Sequence, residues 1–240
     1  MISPEMSEIL RAFHAERGSR LSDGCASTLG MDQLSVSLAL EGPTTETLWT
    51  TGETSTSFED LQFTLGEGPG LDALRTGRAV LEHDVSAVAA GRWPVLLPAL
   101  AGLPIQAVFC LPLALGGITV GVLTALRSIP GPMTGQQMND AMALAAALAL
   151  RYLGGDGEQF DTRAGGRLDG ELHHAVVHQA TGMLSVQLGL PPGKALLRLR
   201  AHAYGHDRPI LDVAEDVVAR RLRLNRDSPD EPNASEETRG

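Results

Sequence analysis

A chain of 240 residues has room for one large domain or two small ones, and its 43% hydrophobic content supplies material for a real core. Its long uncharged run from Pro94 to Leu126 is interrupted by Pro98, Pro104, Pro112 and Gly116-Gly117; this excludes a membrane-spanning helix, which needs about 20 unbroken apolar residues. The net charge of −10 is unevenly spread: residues 1–164 hold nine arginines against 18 acids, residues 165–226 nine basic against six acidic residues, and residues 227–240 one arginine against five acids.

The N-terminus, MISPEMSEILRAFHAERG, begins with acidic and polar residues and lacks the basic-then-apolar order of a secretory signal. Glu5 to Arg17 predicts a short helix. Leu34 to Glu41 alternates apolar and small polar residues and reads as a strand, with TETLWTTGE beyond Gly42-Pro43 as its hairpin partner. LGEGPGLDALRTGRAVLEHDV opens with a glycine-rich turn, continues as a short helix from Pro69 to Thr76, and ends in a short strand at Ala79 to Glu82. Trp93 to Gly102 predicts another short helix. IQAVFCLPLAL and ITVGVLTALRS, joined by Gly116-Gly117, form a hairpin. Met138 to Leu153, rich in Ala and Leu, is a closing helix. An antiparallel sheet with flanking helices is an α+β architecture. Cys25 and Cys110, the only cysteines, read as buried or free thiols of a cytoplasmic protein.

The stretches LGEGPGLDALRTGRAVLEHDV, RWPVLLPAL and VFCLPLALGGITVGVLTALR resemble the GAF domain of bacterial GAF–ANTAR regulators. The resemblance implies a sensory domain over residues 1–153. The sequence GEGPG lacks the Lys-Ser/Thr ending of a P-loop and the spacing of a dinucleotide fingerprint, so its glycines serve a tight turn. Gly70 stands where many relatives carry cysteine, which removes a thiol chemistry at that point. Any ligand pocket would lie between the sheet and the segment Asp84 to Gly102, with Asp84, Trp93 and Phe109 as candidate lining residues. The alternative is core packing for Trp93 and Phe109 and a loop cap for Asp84. A haem would rest on His83 alone, so no cofactor is read.

Residues 154–167 are glycine-rich and acidic and read as a linker, and residues 226–240 as a disordered acidic tail. Between them, residues 168–225 predict three helices. In the first, Leu168 to Leu188, one stripe is Leu168, Leu172, Val176, Ala180 and Met183, and a second is Val177, Leu184 and Leu188. Two stripes suggest two partners, the small bundle itself and another copy of the chain. A second helix runs from Pro192 to Tyr204. In the third, Ile210, Val213, Ala214, Val217, Val218 and Leu222 follow helical spacing, with Asp207 or Arg208 as the cap.

The order HQATGML, then Gly189, KALLRLRAHA and RPILDVAEDVV resembles the ANTAR domain, an RNA-binding antitermination module. The resemblance implies a homodimer that binds paired six-base-loop RNA stem–loops in nascent mRNA and so prevents a terminator hairpin. Ala180, Thr181 and Gly182 form a small-residue patch on a helix. Glycine there costs about 1 kcal/mol relative to alanine; the return is either close approach of a splayed base or close helix packing. His178, Gln179 and Thr181 offer hydrogen bonds to base edges, and Lys194, Arg198, Arg200 and Arg208 offer charge to phosphates. Thr181 stands where the family often has lysine, and Ser185 where it often has methionine.

His174 with His178, and His202 with His206, have a spacing that suits a metal on a helix, but no third ligand is evident and no metal site is assigned. Neither a paired carboxylate set, a Cys–His set nor a receiver-type phosphoacceptor is legible, so the chain reads as non-enzymatic. The competing reading is a small-molecule-binding GAF sensor whose helical C-terminus serves only dimerisation or protein interaction.

Overall fold

The computed structural model describes residues 1–15, 23–39, 45–153 and 174–225. The expected linker 154–167, the tail 226–240, and the helix positions Leu168 and Leu172 lie outside the described residues. The chain falls into two compact units, Met1–His173 and His174–Gly240.

The first unit is a five-stranded antiparallel sheet with helices on both faces. Its elements are α1 (Pro4–Ala15), α2 (Asp23–Leu29), β1 (Gln33–Ala39), β2 (Thr45–Thr50), α3 (Glu53–Leu65), α4 (Pro69–Thr76), β3 (Val80–Glu82), α5 (Leu96–Leu100), β4 (Ala107–Leu115), β5 (Ile118–Arg127) and α6 (Gly135–Leu153). The strand order is β2-β1-β5-β4-β3. The expected hairpin is the centre of this sheet, with Cys110 opposite Thr124 and Leu111 opposite Leu123. Because side chains alternate along a strand, β4 sends Phe109, Leu111 and Leu113 to one face and Val108 and Cys110 to the other. Phe109 joins Met6, Phe13, Leu29, Leu144 and Leu148 under α1, α2 and α6. Val108 and Cys110 join Phe58, Ala73, Trp93, Leu96 and Leu100 under α3, α4 and α5. A sheet covered on both faces reads as continuous apolar runs rather than alternation, which is why the hairpin sequence is apolar throughout. Cys25 and Cys110 are both buried free thiols.

One polar cluster sits inside this core. Glu59 of α3 is 4% exposed, and its carboxylate accepts from Ser35 Oγ at 2.6 Å, Ser37 Oγ at 3.1 Å and Gln62 Nε2 at 3.2 Å. Gln62 in turn accepts the Gly70 N–H at 2.8 Å, tying α3 to the start of α4. Burial pushes the Glu59 carboxyl above its ordinary value of 4.5, against the opposing pull of hydroxyl hydrogen bonds from Ser35, Thr124 and Ser37.

The second unit is three helices: α7 (Ala175–Leu188), α8 (Pro192–Gly205) and α9 (Ile210–Val218). Val177, Ala180, Leu184 and Leu188 of α7 are buried with Ala195, Leu196, Leu199 and Ala203 of α8 and Ile210, Val213, Ala214 and Val217 of α9. Ala180 therefore belongs with the second of the two expected stripes, whereas Val176 and Met183 are only half-buried at its edge. Neither Asp207 nor Arg208 caps α9; its N-cap is Pro209. Asp207 instead adopts a left-handed conformation, φ 51°, closing the C-terminal turn of α8.

The raised Glu59 value fixes the sign of a pH effect. The folded unit holds this proton more tightly than the unfolded chain, so the contribution is full below about 4.5 and is lost as pH rises through the folded value. Glu59→Gln removes that loss. We expect the variant's unfolding temperature to gain on the parent's as pH is raised from about 4.5; an offset independent of pH contradicts the assignment.

Candidate nucleic-acid interface

The candidate interface is built on α7. One face of this helix is fixed against α8 and α9, so the residues half a turn away must point outward. Gly182 is exposed, and a Cβ built on it meets nothing within 4 Å. Val186, one turn on, is 87% exposed. Gln179 is exposed on the same side, and His178 is half-buried. The small-residue patch is thus divided by the helical twist. Ala180 is fully buried and Thr181 is 7% exposed. The Thr181 hydroxyl donates to the Val177 carbonyl at 2.7 Å, a bond within the helix. Ala180 and Thr181 leave the set of expected RNA contacts, because both lie in the bundle core. Close packing accounts for Ala180, and open surface for Gly182.

The cations also separate. Lys194 and Arg198 are exposed on α8, on a face that also presents Leu197 at 64% and Tyr204 at 68% exposure. Arg200 is half-buried, and burial pushes its guanidinium down to about 10, so it remains charged at neutral pH. Arg208 is engaged: its Nη2 lies 2.7 Å from Asp216 Oδ2, while Arg221 Nε lies 2.7 Å from Asp216 Oδ1. These two guanidinium groups hold the Asp216 carboxyl below its usual range by their hydrogen bonds. Among the described residues, Arg220 and Arg223 form no ion pair. Sequence reasoning missed both: it carried the third helix on to Leu222, whereas α9 ends at Val218 and the chain turns out of the helix beyond it. They line a groove of about 520 Å³ together with Gly182, Met183, Val186 and Leu222.

The rings of His202 and His206 stack at 4.1 Å. No group of three His, Cys, Asp or Glu side chains placed to hold a metal occurs among the described residues.

Two family models match the chain in sequence order: the GAF domain over residues 15–152 and the ANTAR domain over residues 172–218. The chain belongs to the GAF family and carries an ANTAR domain. The GAF domain is similar in fold to that of a phosphoenolpyruvate-protein phosphotransferase from Coxiella burnetii, at 17% identity and TM-score 0.47 over 63% of this chain and 99% of that one. It is likewise similar to the GAF domain of an Acinetobacter phosphoenolpyruvate-protein phosphotransferase, at 17% identity and TM-score 0.46 over 62% of this chain and 92% of that one. A free methionine-R-sulfoxide reductase from Neisseria meningitidis, bound to its substrate, is similar at 16% identity and TM-score 0.46 over 61% of this chain and 85% of that one. No curated protein matches the chain. Among the described residues, no helix is long and apolar enough to cross a membrane.

In the GAF domain, the three candidate pocket residues do not come together. Trp93 is 3% exposed under α3–α5, where its indole N–H donates to Asp72 Oδ2 at 3.0 Å and the Arg92 guanidinium lies 4.4 Å from its ring. Phe109 is fully buried on the opposite face of the sheet, with the His83 ring 5.9 Å away. Asp84 accepts from the Ser86 N–H at 2.9 Å and caps the 3₁₀ turn Val85–Ala87. Trp93 and Phe109 are core residues and Asp84 is a loop cap, so the three do not line one pocket.

The ANTAR geometry makes opposite predictions for adjacent small residues. Gly182→Ala relieves the helix of glycine's conformational freedom with nothing to clash, and stabilises the domain by about 1 kcal/mol. Ala180→Leu forces volume into a packed site and destabilises it by about 1–3 kcal/mol. Thermal unfolding of the two variants checks the pair; a destabilising Gly182→Ala contradicts the exposure of that position.

Proposed function

We propose that the protein is a non-enzymatic transcription antitermination regulator. Its GAF domain senses a signal, a small molecule or partner. Its ANTAR domain, as a homodimer, binds paired RNA stem–loops with six-base loops in nascent mRNA and prevents the terminator from forming. The observation that carries this reading is Gly182, a glycine held open to solvent in mid-helix. Its helix cost is recovered by no packing within the chain, as expected where the backbone must admit a ligand. An unpaired loop base, splayed from its stack, needs such close approach and a polar margin. Gln179 and His178 supply that margin, and Lys194 and Arg198 on α8 supply phosphate contacts. Dimerisation is supported by size: three short helices bury little surface by themselves. The placement in the cytoplasm follows from this function. The boundaries at 153, 167 and 225 are part of the proposal.

The test is a titration of the full chain with a synthetic RNA of two tandem six-base-loop hairpins. We expect tighter binding than to a loop-scrambled control. Gly182→Glu, at an open position, abolishes the preference while the unfolding transition is retained. Lys194→Gln and Arg198→Gln each lower the slope of log affinity against log salt by about one. Equal affinity for the two RNAs sinks this reading in favour of a C-terminal region that serves dimerisation alone.

A further inference from the structure

We propose that the groove between α7 and the chain following α9 seats one unpaired nucleotide, its base against Met183, Val186 and Leu222 and its phosphates on Arg220 and Arg223. This rests on the reading of the ANTAR domain as an RNA binder and names where a base enters. Two independent observations carry it.

The first is the shape and chemistry of the groove. Its volume of about 520 Å³ is in the range of small-ligand sites. Gly182 leaves one wall without a side chain, and Val186 and Met183 supply apolar surface beside it. The opposite wall is held in place: the Gln187 side-chain amide donates to the Leu224 carbonyl at 3.2 Å. Both cations of this wall face the groove, whereas their neighbours Arg208 and Arg221 are taken up by Asp216. An apolar floor with two cations at its margin matches a nucleotide, which pairs a flat aromatic base with anionic phosphates. A second copy seated symmetrically, groove on groove, would bring its own Arg220 and Arg223 to the same margin.

The second observation is backbone strain at Arg220. All three helices of the domain close with a left-handed residue: Gly189 at φ 61°, Asp207 at φ 51° and Arg220 at φ 59°. At the third, the Arg220 N–H donates to the Val217 carbonyl at 3.0 Å and the Arg221 N–H to the Asp216 carbonyl at 2.8 Å. This is the closing turn in which glycine is favoured. Glycine fills it after α7, and aspartate, which tolerates this conformation, fills it after α8. Arginine has no such tolerance. Keeping a strained arginine where glycine would relax the turn points to a use for the side chain.

That strain separates the functional role from a structural one. With the full-length protein and the tandem six-base-loop RNA, Arg220→Gly raises the unfolding temperature of the ANTAR domain. The same variant weakens RNA binding about tenfold and lowers the salt slope by about one. Arg223→Gln weakens binding likewise without raising stability. Val186→Glu blocks the seat and loses binding while its sedimentation matches the parent's. Parental RNA affinity in both Arg220→Gly and Arg223→Gln, beside a parent that binds, overturns the seat and leaves the RNA reading standing. Loss of the oligomer in Val186→Glu assigns the groove to a second copy and overturns it too. A parent that ignores the RNA overturns both readings together.

Discussion

The packing of α7 against α8 and α9 sets everything else in the C-terminal domain. A helix with Val177, Leu184 and Leu188 locked in a core has no rotational freedom left. Ala180 and Gly182 lie two residues apart, about 200° around the helix, so one must be buried when the other is open. Substituting alanine for glycine would help the helix, and the surrounding structure offers no packing reason against it. That openness, with the cations of α8 and of the chain after α9, is what supports the proposed RNA contact. The Asp216 bridge contributes by sorting the arginines: it occupies Arg208 and Arg221 and leaves Arg220 and Arg223 toward the groove.

In the GAF domain the corresponding constraint is a sheet covered on both sides. Five strands between two helical layers leave little room for polar groups, yet Glu59 is held there by Ser35, Ser37 and Gln62. A buried carboxyl is costly unless protonated or fully hydrogen-bonded. The cluster links β1, α3 and, through Gln62, the first turn of α4. The charge state of Glu59 therefore bears on the stability of the layer.

Much of this was legible from residues alone. The helix Pro69–Thr76 begins with its proline and ends before Gly77, and the hairpin around Gly116-Gly117 carries the strongest apolar runs in the chain. By contrast, α2 and α3 carried no readable signal: DGCASTL and ETSTSFEDLQFTL are rich in Ser and Thr, residues of modest helix preference. Trp93 and Phe109, offered together as pocket lining or as core, pack on opposite faces of the sheet; Trp93 lies outside any strand, so no alternation tells which face it joins. At the C-terminal site, Arg208 and Asp216 are eight residues apart across a helix start, a pairing that helical spacing does not reveal. Arg220 escaped notice because a left-handed closing turn announces itself through glycine, and here there is none.

The most direct test of the account is a map of photo-crosslinks between the unmodified protein and a tandem-hairpin RNA carrying 4-thiouridine in its loops. The account predicts crosslinked peptides from the outward side of α7 around Gln179 and Val186 and from the segment that follows α9. Crosslinks confined to the GAF domain, or to α8 alone, would contradict it.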